Sequence, residues 1–331
     1  MAPTKLIVVV GATGNQGGSV VDVFLSAPGW RVRALTRNTS SAKAQALAAR
    51  GAEVVAADLD VPSTLEPAFR GANAIFLVSD FWGLYGDPAN KDKPKPGQAL
   101  NVWAAEHEVQ QLKGAIDAIA KVATLERFVY SSLSNATKWS NGKYTHVYHF
   151  DSKAIAEDYA REIYPELWAK TSIYQAGFFL SNFVLNPILQ PVKGEDGVAR
   201  FIGNIDVNVK FPFVAAEEDS GHFVKALVDE PAGKNLIGYR EWLTHRELAA
   251  VFTQATGIAA EVIQLPNGKS KVEEPPELKV ELDDNFAYWN EFGYEGRADP
   301  TIVHPRDLAT LSKLDTVFNY FKKQDWTKVL G

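Results

Sequence analysis

The chain has 331 residues, 34 Lys and Arg against 40 Asp and Glu, and a formal net charge of −6, a balance that argues against a nucleic-acid surface. It has no cysteine, which excludes disulfides, thiolate metal sites and cysteine nucleophiles, and its 6 histidines show no ligand spacing, so no metal is expected. No apolar stretch reaches transmembrane length and the start carries no signal-peptide pattern, so no membrane partner and a cytoplasmic location are expected.

The first element is the aliphatic run Leu6–Val10, which ends in Gly11-Ala12-Thr13-Gly14-Asn15-Gln16-Gly17 and passes at once into a helical apolar pattern, Val20, Val21, Phe24 and Leu25. Strand, tight turn and helix in that order form a cradle for a dinucleotide pyrophosphate. Gly11 permits the turn, Gly14 lets backbone approach phosphate, and Gly17 lets the helix lie against the strand. The second strand is Trp30–Leu35, entered through Pro28-Gly29. An NAD-preferring site usually ends this strand with a carboxylate, but the chain offers Thr36-Arg37-Asn38 and then Lys43. A guanidinium grips a 2′-phosphate in a two-pronged, charge-assisted contact, so NADP(H) is expected, with Arg37 the main ligand, Asn38 beside it and Lys43 a helper. A solvated loop cation is the alternative for Arg37.

Further strands are predicted at 53–56, 74–78, 127–131 and 171–175, alternating with helices over 41–50, 64–69, 98–121 and 150–163. Such alternation means a parallel, doubly wound α/β sheet, whose ligands bind at the carboxyl ends of the strands. Gly11, Arg37, Asp58, Ser79 and Ser131 all follow a predicted strand and are expected on one edge. Past about residue 180 the rhythm breaks. Helices are predicted over 217–228 and 246–257, the latter capped by Thr244, an exposed loop over 266–278, and aromatic helices around 286–292 and 314–321. The expected division is a nucleotide domain over 1–180, completed by parts of 205–240, and a substrate lobe over 181–331.

Together these pieces resemble the NmrA-like family of atypical short-chain dehydrogenase/reductase proteins. The resemblance rests on the glycine turn, Thr36-Arg37-Asn38, Gly51–Val55 with Asp58-Leu59-Asp60, Val129-Tyr130-Ser131-Ser132 and His149-Phe150-Asp151-Ser152-Lys153. It implies a Rossmann-type NADP(H) domain with a smaller C-terminal substrate lobe. It also implies that Asp58 and Leu59 contact adenine, that Ser79 lies beside the ribose, and that Lys153 reaches the nicotinamide ribose. The family contains reductases and members that only sense the cofactor.

One departure matters. Typical short-chain dehydrogenases place Tyr four residues before that Lys, on the same helix face; here position 149 is His. Tyr148 precedes the Lys by five residues and misses its face by about 100° on a regular helix. His149, Tyr148 and Ser132 remain candidates for proton donor or relay, with Lys153 itself as a fallback. Asp80, Phe81, Trp82, Trp139, Phe178 and Phe179 come from predicted loops at the carboxyl edge and are expected to line a hydrophobic substrate pocket, Asp80 facing an amine or iminium. The expected function is NADP(H)-dependent hydride transfer to a C=O, C=N or activated C=C of a hydrophobic small molecule, in secondary metabolism. The alternative is a non-catalytic NADP(H) sensor acting through a regulatory protein partner; a homodimer stays open in either case.

Overall fold

The computed structural model describes residues 4–266 and 268–331. Six strands build the first half: β1 (Lys5–Val9), β2 (Trp30–Thr36), β3 (Glu53–Ala56), β4 (Ala74–Leu77), β5 (Arg127–Ser132) and β6 (Thr171–Ala176). The second half adds β7 (Phe178–Phe179), β8 (Val192–Lys193), β9 (Ala199–Gly203), β10 (Lys210–Val214), β11 (Asn235–Gly238), β12 (Glu241–Thr244), β13 (Ala260–Gln264) and β14 (Ile302–Val303). The main sheet runs in the order β14-β11-β6-β5-β4-β1-β2-β3, every pair parallel. Parallel strands are covered on both faces, which is why β4 reads Ala-Ile-Phe-Leu with all four residues buried. The order reverses between β1 and β4, so a crevice opens at the carboxyl ends of those strands.

The α-helices among the described residues are α1 (Asn15–Leu25), α2 (Ala42–Ala49), α3 (Leu65–Phe69), α4 (Phe81–Gly86), α5 (Leu100–Ile119), α6 (Ala136–Trp139), α7 (Tyr148–Ile163), α8 (Pro165–Trp168), α9 (Asn182–Leu185), α10 (Ala216–Asp229), α11 (His245–Thr256), α12 (Pro276–Phe292), α13 (Val317–Lys322) and α14 (Thr327–Leu330). On one face of the main sheet, α3, α5 and α7 bury Leu65, Leu112, Ile116, Ala156 and Ala160 against Phe128 and Tyr130. On the other, α1 and α10 bring Val20, Val21 and Phe24 against Phe223, Val224 and Leu227. These two helices touch almost backbone to backbone. The Gly221 N–H donates to Ser19 Oγ at 2.9 Å, and a Cβ at Gly221 would lie 2.2 Å from the Ser19 carbonyl oxygen.

The remaining strands form two three-stranded sheets, β12-β10-β7 and β13-β9-β8. They enclose an aromatic core that includes Phe178, Phe183, Phe201, Phe211, Phe213, Phe252 and Trp289. Thr244 caps α11 in a reciprocal capping box with Glu247, and Gly257 ends it in the left-handed conformation. α12 departs from expectation. The predicted loop over 266–278 stops at Pro276, where a 17-residue helix starts and continues through the predicted 286–292 segment. It buries Glu281 and Asn285, polar residues that an apolar-periodicity reading assigns to solvent. No described helix is long and apolar enough to cross a membrane.

Candidate active site

The glycine turn sits at the carboxyl end of β1. Gly11 has φ +66°, and a Cβ on Gly17 would lie 2.2 Å from the Gly11 carbonyl oxygen, so the first turn of α1 seats directly on the loop. α1 begins after Gly14 with no side-chain cap and no acidic residue in its first turn. Its leading N–H groups therefore stay open to an anion, with the positive end of the helix dipole behind them. Asn15 is exposed, and half-buried Gln16 accepts a hydrogen bond from Ser131 Oγ at 2.8 Å, tying the turn to the end of β5.

Arg37 follows β2, exposed, and makes no ion pair among the described residues. Lys43 donates to the Thr13 carbonyl at 3.3 Å and so lies over the glycine turn. Asn38 folds onto its own loop, its Oδ1 accepting from Ser40 N and Oγ. Asp58, half-buried after β3, accepts from the Asp60 N–H at 3.0 Å, with Leu59 half-buried between them. Beyond β4, Ser79 Oγ is buried without a partner among the described residues. An orphaned buried hydroxyl beside a cradle that only glycine can form fits a bound dinucleotide.

α7 carries the catalytic candidates, and two acidic residues from distant elements meet it. Lys153 Nζ donates to Glu108 Oε1 at 2.8 Å and to the His149 carbonyl at 3.3 Å, while Ser152 Oγ donates to the other Glu108 oxygen. Glu108 comes from α5 and is fully buried. His149 Nδ1 lies 2.7 Å from Glu281 Oε1, which also accepts the His149 backbone N–H at 3.2 Å; Asn101 Nδ2 donates to Glu281 Oε2 at 3.0 Å. With the carboxylate as acceptor, Nδ1 carries the hydrogen and Nε2 is the ring nitrogen left for another partner. The imidazole packs on Trp82, ring centroids 4.8 Å apart, and on Phe81 at 5.8 Å. Neither Glu108 nor Glu281 was a sequence candidate. Glu108 could have been flagged, because it interrupts the apolar stripe Ala104, Leu112, Ala115; Glu281 falls between the predicted 266–278 loop and the predicted 286–292 helix, in a stretch given no element.

Several expected site residues lie elsewhere. Tyr148 is the first residue of α7, so the regular-helix rotation holds. It faces an outer groove between α5 and α7 with Ser152 and Ile155, and burial plus Glu281, Asp284 and Asp151 hold its phenol above the usual range. Ser132 turns to the α7 side, against the Glu157 carboxyl, because successive residues of β5 alternate faces and Ser131 takes the α1 side. Asp80 is spent as the cap of α4, accepting the Gly83 N–H at 2.9 Å. Phe178 is packed in core among Phe183, Phe211 and Phe213, Phe179 is half-buried in the packing against α10, and Phe81, though beside His149, is buried. Trp139 lines a different cavity, beyond α7. Trp82 alone of these aromatics stays substantially open, 43 % exposed.

The model of the NmrA-like family matches residues 3–321. The NmrA-like family domain-containing oxidoreductase hkm9 of Aspergillus hancockii is 32% identical over 271 residues, covering 77% of this chain and 74% of the relative. The corresponding oxidoreductase malD of Malbranchea aurantiaca is 29% identical over 273 residues, 79% of this chain and 76% of its own. Among solved structures, NmrA, described as a negative transcriptional regulator, superposes with a TM-score of 0.79 at 20% identity, covering 98% of this chain and 97% of that one. An NADPH-dependent quinone oxidoreductase of Escherichia coli, solved with NADPH, gives a TM-score of 0.64 at 24% identity over 95% of this chain and 98% of that one. With a family match along nearly the whole chain, and a Rossmann-type sheet that agrees with it, this protein belongs to the NmrA-like family.

Proposed function

We propose that the protein is an NADP(H)-dependent oxidoreductase acting on a hydrophobic small molecule of secondary metabolism. One observation carries the cofactor choice: β2 ends without a carboxylate, Arg37 makes no ion pair there among the described residues, and Lys43 already lies over the glycine turn. In this reading Gly11, Thr13, Gly14, Asn15, Gln16 and Gly17 hold the pyrophosphate, Arg37, Asn38 and Lys43 the 2′-phosphate, Asp58 and Leu59 the adenine, and Ser79 the ribose. When bound, NADPH supplies a hydride from C4 of its nicotinamide to a C=O, C=N or activated C=C. His149, when doubly protonated, supplies the proton through Nε2 and is left as the Nδ1–H tautomer that Glu281 holds, with Asn101 in turn orienting Glu281. Lys153 spends two of its three N–H donors on Glu108 and the His149 carbonyl and offers the third to the nicotinamide ribose.

Calorimetric titration of NADPH and NADH tests the assignment. Arg37→Asp should cut the NADPH-over-NADH affinity ratio by roughly tenfold to a hundredfold; an unchanged ratio overturns it. A second reading, a cofactor-sensing regulator, is favoured by the absence of a tyrosine on the Lys153 face of α7. Nicotinamide absorbance with a panel of apolar imines, enones and ketones separates the two. Turnover supports the enzyme, whereas no turnover with a cofactor-dependent change of oligomeric state supports the sensor.

A further inference from the structure

A cavity of about 390 Å³ opens on the α5–α7 side of the main sheet, beyond the edge of α7 and over β6 and β11. Its size suits a small ligand. It shares no lining residue with the glycine turn, Arg37, Lys43, Ser79, His149 or Lys153. Its floor includes Gln175, 2 % exposed, whose Oε1 is buried without a partner.

The orientation of that amide is dictated by a chain of bonds. Thr301 Oγ1 donates its hydrogen to Asp299 Oδ1 at 2.7 Å, so it can only accept from Asn235 Nδ2, 2.9 Å away. Asn235 must therefore turn its Oδ1 toward Gln175, where it accepts Nε2 at 2.8 Å, and Gln175 Oε1 is left as a lone acceptor in the cavity floor. A carboxylate lies at the same end. Ser132, the register partner of Gln175, rests against Glu157.

The cations of the lining are already engaged. Arg161 pairs with Glu157 and Asp158 at 2.6 Å each and stacks on Trp168, Lys138 lies over the Trp139 ring at 4.8 Å, and Lys234 reaches Glu230 at 3.4 Å. An anion would have to pull one of them from its partner, whereas an N–H donor meets the free Gln175 Oε1.

We propose that this cavity is a second small-molecule site, for a primary amine bearing a flat apolar group, its ammonium between the Gln175 amide oxygen and the Glu157 carboxylate and its ring against Trp139. Burial outweighs the pull of Arg161 and Ser132 and pushes the Glu157 carboxyl up to about 7, so a second cation beside it would favour the ionised form. The site is independent of the nucleotide reading and is tested without nucleotide.

Titration calorimetry of the full chain with benzylamine at about pH 8, where Glu157 is ionised, should give one-to-one binding, while benzoate, the same ring with the opposite charge, gives no heat. Glu157→Gln and Gln175→Met should each weaken benzylamine about tenfold or more. Should Gln175→Met fail to fold, Glu157→Gln decides, together with the indole N–H resonance of Trp139 in the wild type, which should move on adding benzylamine. Absence of benzylamine binding, equal binding of benzoate, unchanged affinity in Glu157→Gln, or a Trp139 resonance that stays put would each overturn the proposal.

Discussion

Glu157→Gln should raise stability by only about 1 kcal/mol at about pH 5 and by about 3 kcal/mol at about pH 8. Burial lifts the Glu157 carboxyl from 4.5 to about 7 against the pull of Arg161 and Ser132, and its side chain is only 13 % exposed, so solvent screening takes little away. A carboxyl whose proton is held more tightly in the folded state makes that state bind more protons between these two values. Stability is therefore lost as pH rises through the window, the reverse of a salt-bridged Asp or Glu. The displacement is worth about 3 kcal/mol in all, of which about 2.5 kcal/mol falls between pH 5 and pH 8. Glutamine keeps the shape and one acceptor for Arg161 but does not titrate. Urea denaturation of both proteins at the two pH values reads the effect as a midpoint gap that is several-fold wider at the higher pH. A wild-type-to-variant difference equal at both, within about 0.5 kcal/mol, would refute the reasoning, because the carboxyl would then be solvated.

Two further outcomes concern α7. Glu281→Gln replaces one of two fully used carboxylate oxygens by a donor, leaving either Asn101 Nδ2 or the His149 N–H groups facing another N–H; the expected loss is about 2–3 kcal/mol, read by denaturation with loss of the downfield His149 Nδ1 proton resonance. Lys153→Met strands Glu108 in the core without its cation and should cost about 3–5 kcal/mol, whereas Lys153→Met with Glu108→Gln should recover most of it. Turnover that stays absent in the refolded double variant, by nicotinamide absorbance, assigns the loss to the ammonium rather than to the fold.

The nucleotide half was legible because its physics is local. Strands buried on both faces must be aliphatic runs, and Gly11 and Gly17 occupy positions where a Cβ meets backbone or an unfavourable φ. Partner choice inside the site was not, since it depends on residues far apart in the chain: Glu108 and Glu281 reach α7 from elements 45 and 132 positions away. The aromatic edge misled for a related reason. Loop position alone does not separate a pocket wall from core, and Phe178 is claimed by Phe183, Phe211 and Phe213 once the second half folds over it. The facing of Ser132 was readable, since Tyr130, two positions earlier, already points into the α5–α7 core.

The close seat of α10 on α1 sets an order of events during synthesis. Ser19 and Gly221 are 202 positions apart, so the oily flank of the first helix leaves the ribosome long before the helix that covers it. At ordinary elongation speeds that delay is roughly 10–40 s. During it Val20, Val21 and Phe24 lack half their cover, and the glycine turn hangs from an undocked helix. The glycine turn is thus completed well after it is made, and chaperone demand should peak during that interval.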